Sequence, residues 1–352
     1  MISNSQFLLL TFDYELFLGK RSGTVSRCMI EPTKHIQKLL KRYNCRAVFF
    51  IDTTFLMTLK SKIQFKACRE DLDLIFTQLQ SLYKDGHYLY HHIHPHWFDA
   101  IYLPELNQWD LSDKHRFSIT GLPHEEVETL FQQSTKVLQE IIYPVDANYK
   151  PEGFRAGGLY FQPFGSMKNT FIKYGIKYDF SVLRGMVNIQ DGFYFDYTKH
   201  PEKYIYRFDQ DLTREKIDGP FYEFSIGTLK LKGTQKLINS IEYRLNKGNT
   251  NRKIFGDGLP SGNHLGFKTN KKAALTEKIR NKLVTQETYS LELVTSLKIK
   301  SYLQALKCEG YLQIISHPKL ISEYTLEMFN KFLEISFAEC NLNTDFKMMI
   351  NN

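Results

Sequence analysis

The chain has 352 residues, of which 42% are hydrophobic, enough for the core of one large domain or two ordinary ones and too many for a disordered tail or a fibre. Its net charge of +8 comes with no nucleic-acid-binding motif, so nucleic acid is not an expected partner; the excess collects after residue 229, as in Lys230-Leu231-Lys232 and around Lys271-Lys272. The five cysteines are odd in number and never spaced Cys-x-x-Cys, which excludes a disulfide framework and a zinc ribbon and fits a reducing compartment.

In chain order, Phe7 to Phe12 is an uninterrupted apolar run, as expected of a strand buried on both faces of a parallel sheet, and Asp13, Tyr14 and Glu15 follow its carboxyl end. No charged region precedes that run and acids close it, so a signal peptide is not expected. No apolar stretch approaches the ~20 residues of a membrane helix, and the expected location is cytoplasmic. Glu31-Pro32-Thr33 opens a helix carrying Ile36, Leu39, Leu40 and Tyr43 on one face, and Arg46 to Asp52 is a second buried strand. A helix over 72–83 leads to a strand at His87 to Tyr90 and a histidine cluster: His91, His92, His94 and His96. Further helices are expected over 123–142 and 162–174, a short segment at 154–158, and strands at 178–182 and 221–226. A helix over 289–308, a strand at 311–315 and a helix over 325–340 complete the pattern. Repeated β-then-α units imply a mostly parallel α/β sheet, open or closed as a barrel, within one domain spanning 1–352. The polar segment 245–272 reads as an excursion loop, and its His264 is as easily exposed as functional.

In such folds the site lies at the carboxyl ends of the strands. Asp13 and Glu15 end the first strand, the histidines the third, Arg155 a later one and His317 the last. Asp13 and Glu15 are two apart, so on extended chain both carboxylates point to the same side. His92 and His96 are four apart across a loop containing Pro95 and are expected to close on one ion. One carboxylate and two imidazoles are the ligand set of an open catalytic zinc.

These motifs resemble, in order along the chain, those of the polysaccharide deacetylases with a NodB-homology domain, carbohydrate esterase family four. The residues carrying the resemblance are Thr11-Phe12-Asp13-Tyr14-Glu15, His92-Ile93-His94-Pro95-His96, Phe154-Arg155-Ala156-Gly157-Gly158 and Ile314-Ile315-Ser316-His317, with the second strand Ala47 to Asp52. The family's second aspartate is Tyr14 here, and the two-residue spacing makes Glu15 its substitute. Arg155 is followed by Ala156-Gly157-Gly158 and not by the usual proline. For the fourth motif's acid, either Asp179 or Glu223 is a candidate.

The resemblance implies a distorted (β/α)7-type barrel and metal-assisted removal of an N-acetyl group from a sugar. It implies Glu15, His92 and His96 as ligands of a divalent metal, most simply zinc. Asp13 becomes the base, Arg155 its ionic partner and His317 the general acid. His94, Trp97, Tyr14, Gly157 and Gly158 become substrate contacts, with a backbone N–H near Tyr14 or Gly158 facing the oxyanion. The compartment points to surface-polysaccharide assembly (O-antigen, capsule or exopolysaccharide) on a nucleotide- or lipid-linked sugar. Two alternatives are a metal-dependent phosphoesterase and a catalytically silent carbohydrate-binding relative.

Overall fold

The computed structural model describes residues 5–113, 115–190, 193–232, 250–259 and 284–350. His264 and most of the segment 245–272 lie outside these residues. The strands and helices that position the site are β1 (Gln6–Tyr14), α1 (Glu31–Arg42), β2 (Val48–Asp52), α2 (Thr53–Lys60), α3 (Lys66–Lys84), β3 (Tyr88–Ile93), α4 (His124–Ile142) and β4 (Gly153–Ala156). They continue with α5 (Lys168–Tyr174), β5 (Tyr178–Asp179), β6 (Ile205–Phe208), β7 (Phe221–Phe224), α6 (Ser296–Glu309), β8 (Tyr311–Ser316), α7 (Glu323–Glu339) and β9 (Leu342–Asn343).

The nine strands form one sheet in the order β6-β7-β5-β4-β3-β2-β1-β8, with β9 also pairing β1. All neighbours are parallel except β6 with β7. The first three strands are apolar runs because they are covered on both faces: outward residues such as Leu8, Leu10, Phe49 and Leu89 meet the helices, while Leu9, Val48, Phe50 and Tyr90 turn inward. Those inward residues pack with Phe180, Phe224 and Phe346, so the sheet curls around an aromatic plug. The curl is measurable through Arg155. From β4 its Nη1 donates to Asp13 Oδ1 at 2.6 Å and its Nη2 to Thr11 Oγ1 at 2.9 Å, across the two intervening strands. The result is a mixed α/β fold with a curled, mostly parallel half-barrel. A side chain instead of a ladder ties β8 to β7 across the opening: with its amide oriented to satisfy both sides, Gln313 of β8 donates to Phe224 O (2.9 Å) and Ser225 O (3.1 Å) and accepts from Arg155 Nη2 (2.8 Å).

Several expected elements shift. The helix expected over 289–308 starts at Ser296, where Thr295 caps it by accepting from Lys298 N; the residues before it include a strand, Val284–Thr288, paired with Thr228–Lys232. The helix expected over 162–174 is a 3-10 turn (Phe164–Met167) followed by the short α5. Helix α2 and strand β6 are additions. For α2 the signal was present: Asp52 before Thr53-Thr54 is an N-cap, and its Oδ1 accepts from Phe55 N at 3.1 Å.

Candidate metal centre

Three ligand atoms converge at the carboxyl ends of β1 and β3. His94 Nε2 lies 2.7 Å from Glu15 Oε2, His92 Nε2 lies 3.4 Å from the same oxygen, and the two imidazole nitrogens are 3.0 Å apart. Local chain geometry explains the grouping. β1 remains extended into Tyr14, so Tyr14 faces away and its hydroxyl donates to Gln78 Oε1 at 2.7 Å, while Asp13 and Glu15 share the other side. β3 ends at Ile93 and His94 is still in an open conformation (φ −117°, ψ 87°), so His92 and His94 also share a side.

A 3-10 turn begins at Pro95 and carries His96 out of the cluster. The expected pairing is His92 with His96; the donor atoms that the structure brings together are those of Glu15, His92 and His94. His96 is buried, with its ring against Phe117 (centroids 5.3 Å apart) and edge-on to His94 (5.5 Å). His91 faces the opposite way, its Nδ1 2.7 Å from Ser134 Oγ of α4, and burial pushes its imidazole down to about 3.

The surrounding shell holds the ligands in place. His92 Nδ1 donates to Arg155 O at 2.9 Å, which turns Nε2 toward the centre as the nitrogen free to bind an ion. The His94 backbone N–H donates to Thr54 Oγ1 (2.8 Å), whose hydroxyl donates to Asp52 Oδ1 (2.7 Å). Trp97 Nε1 donates to the other oxygen of Asp52 at 2.6 Å. Trp97 is fully buried against Phe55 and Trp109, so it anchors the histidine loop from beneath and offers no face to a substrate; the same holds for Tyr14. Gly157 is a packing requirement, because a Cβ there would sit 2.6 Å from both His94 Nδ1 and Ile93 O. Gly158 is exposed with φ +62°, a conformation that favours glycine.

Asp13 and His317 complete the group. His317 Nε2 lies 3.6 Å from Asp13 Oδ2 and 3.7 Å from Glu15 Oε1, and its Nδ1 is 3.1 Å from Glu292 Oε1. Of these side chains it reaches solvent most, at 24% exposure against 6% or less for Asp13, Glu15, His92 and His94. Burial alone would raise the Asp13 carboxyl, but Arg155 and the nearby His92 and His317 outweigh it and hold Asp13 below the usual carboxylate range. Burial opposes ionisation of Glu15 as well, and Lys319 with the two histidines holds it well below.

Asp179 and Glu223 are not alternatives but one pair. Tyr178 and Phe180 point into the barrel, so Asp179 between them points out, beside Glu223 of β7. Burial pushes Asp179 up to about 6 and, with the repulsion of Asp179, Glu223 well above its usual range, so the two carboxyls resist ionising together. Sequence reasoning missed Lys319, Glu292, Asp52, Gln313 and the half-buried ring of Phe117. Only Asp52 carried a local signal, its cap.

The donor set suits a divalent ion. The triangle of 2.7, 3.0 and 3.4 Å brings one carboxylate oxygen and two imidazole nitrogens together, and no placement of protons gives each contact its own donor. A tetrahedral ion with bonds of ~2.0–2.1 Å sets such edges at roughly 3.3 Å. Burial opposes protonation of His92, but Asp13 and Glu15 raise it to about 9. An ion at Nε2 must displace that proton, so metal affinity is expected to rise with pH up to about 9, by up to about tenfold per unit. Metal titrations between pH 6 and 9 check this, and a flat profile would contradict it.

No protein-family model and no curated protein matches the chain. Solved structures that are similar include a Mycobacterium smegmatis protein provisionally assigned as a polysaccharide deacetylase, at 12% identity and TM-score 0.48, covering 99% of this chain and 90% of that one. A family 4 carbohydrate esterase from Streptomyces lividans in complex with acetate matches at 10% identity and TM-score 0.40, covering 97% and 92%. A GH57 branching enzyme from Thermococcus kodakaraensis in complex with glucose matches at 11% and 0.48, covering 99% and 71%. Among the described residues, no helix is long and apolar enough to cross a membrane.

Proposed function

We propose that the chain is a divalent-metal-dependent hydrolase that removes an N-acetyl group from a sugar. The observation that carries this reading is the convergence of two sets of groups in one buried cluster: Glu15, His92 and His94 as ligands, and Asp13 with Arg155 and His317 beside them. A divalent ion, most simply zinc, held by Glu15, His92 and His94 would supply Lewis-acid polarisation and make water easier to deprotonate near neutral pH.

The chain's own residues do the rest. Arg155 pins Asp13 Oδ1, which leaves Oδ2 to accept the proton of the attacking water. The depressed Asp13 carboxyl stays ionised for that task. His317 has its Nδ1 on Glu292 and its Nε2 toward the centre. Burial lowers its proton affinity, but Glu292 and Asp13 outweigh that and raise it, which suits a group that gives its proton to the leaving amine. Asp13 and His317 face one another, which suits a base and an acid acting on opposite sides of one carbonyl carbon. Phe117, half-buried beside His96 and Tyr160, is our candidate for the ring that meets a sugar. All five thiols are unpaired, which supports a reducing, cytoplasmic setting and hence a nucleotide- or lipid-linked precursor of a surface polysaccharide as the substrate.

The test is acetate release by metal-loaded protein from N-acetylglucosamine oligomers and from the nucleotide-linked sugar. His317→Ala should lower turnover of these amides ~10²–10⁴-fold and turnover of p-nitrophenyl acetate far less, because a phenolate leaves without a proton. Equal losses on both would remove His317 as the acid. Phosphate release from p-nitrophenyl phosphate without acetate release would favour a phosphoesterase, and neither activity a silent carbohydrate-binding protein.

A further inference from the structure

Lys319 is a cation built into the ligand cluster. It lies two residues beyond His317 in a 3-10 turn (Pro318–Leu320), and its side chain is 2% exposed. Its Nζ donates to Glu15 Oε1 at 2.8 Å and to Leu16 O at 2.7 Å, with the Phe17 ring centroid 5.3 Å away. The backbone packs as closely: Gly256 N donates to Lys319 O at 3.2 Å, and a Cβ on Gly256 would meet that oxygen at 2.4 Å. Lys319 therefore cannot withdraw without disturbing two other segments.

The charges pair off. Asp13 has Arg155 at 2.6 Å and Glu15 has Lys319 at 2.8 Å, so the charges of these four residues sum to zero. We propose that Lys319 is an internal counter-cation that holds Glu15 ready for a divalent ion and, by repelling that ion, keeps it exchangeable. This rests on the ligand assignment of Glu15, His92 and His94. A buried carboxylate without a partner is costly, so Lys319 stabilises the ion-free site. The same ammonium opposes a dication bound to the other oxygen of the same carboxylate. Were Lys319 only a prop for the Glu15 rotamer, its removal would weaken ion binding; as a counter-cation, its removal tightens it.

The experiment measures Zn²⁺ and Co²⁺ dissociation constants by chelator competition for the full chain, Lys319→Met, Lys319→Gln and Lys319→Arg. Lys319→Met should bind on the order of tenfold tighter or more, and Lys319→Arg within a few-fold of the parent. The ion-free Lys319→Met protein should melt lower than the parent, and its melting temperature should rise further on metal addition. If methionine prevents folding, Lys319→Gln carries the same expectation, since it keeps a donor near Leu16 O without the charge. Equal or weaker binding by the neutral variants overturns the proposal while leaving the ligand assignment intact. A parent protein that takes up no stoichiometric metal overturns both.

Discussion

His94→Ala is expected to abolish stoichiometric metal binding, whereas His96→Ala is expected to retain it. His94 Nε2 is 2.7 Å from Glu15 Oε2 and 3.0 Å from His92 Nε2, the corner where the two shorter edges of the triangle meet. Without it a carboxylate and one imidazole remain, a set that holds a labile divalent ion poorly at neutral pH. His96 sits two residues further on, inside the 3-10 turn and with its ring tilted against Phe117, where its loss alters packing and leaves the three donor atoms in place. His92→Ala should match His94→Ala. Elemental analysis after dialysis, with circular dichroism to confirm folding, separates the cases. Full metal in His94→Ala would transfer the ligand role back to His96.

Asp13→Asn is expected to lower kcat by ~10²–10⁴-fold with KM nearly unchanged, the signature of a lost proton acceptor and not of lost binding. The substitution keeps the shape of the side chain but removes the charge that Arg155 faces at 2.6 Å within a fully buried setting. Breaking a buried ion pair from one side costs about 3–5 kcal/mol. The variant should therefore also melt lower, and its kinetics are to be taken well below its melting temperature. Because Asp13 Oδ2 is not an atom of the ligand triangle, metal content should hold. A loss seen in KM alone would make Asp13 a binding residue.

The strands were legible because each carries its own pattern: β1, β2 and β8 read as apolar runs with polar residues at their carboxyl ends, and a half-barrel gathers those ends. Period two placed Asp13 and Glu15 together and Tyr14 opposite. The same rule, continued along β3, pairs His92 with His94, but the sequence shows no sign that the chain stays extended through residue 94; Pro95 could equally have opened a loop that brings His96 inward. Trp97 misled for a related reason. A tryptophan after histidines suits a sugar platform, yet here the chain turns under itself and the indole finds Asp52, a partner 45 residues earlier. Lys319, Glu292 and Gln313 had no local pattern, since each acquires its role from a strand or loop distant in the chain. Asp179 and Glu223 looked like rivals for one position because pairing across β5 and β7 is invisible until the register is known.

The most direct measurement is a crystal structure of the metal-loaded protein with anomalous scattering recorded at the metal edge. The account predicts one ion within bonding range, ~2.0–2.2 Å, of Glu15 Oε2, His92 Nε2 and His94 Nε2, with His96 outside it, Asp13 still on Arg155 and Lys319 still on Glu15 Oε1. An ion bound through His96, an ion elsewhere in the molecule, or no anomalous peak in protein soaked with Zn²⁺ would contradict it.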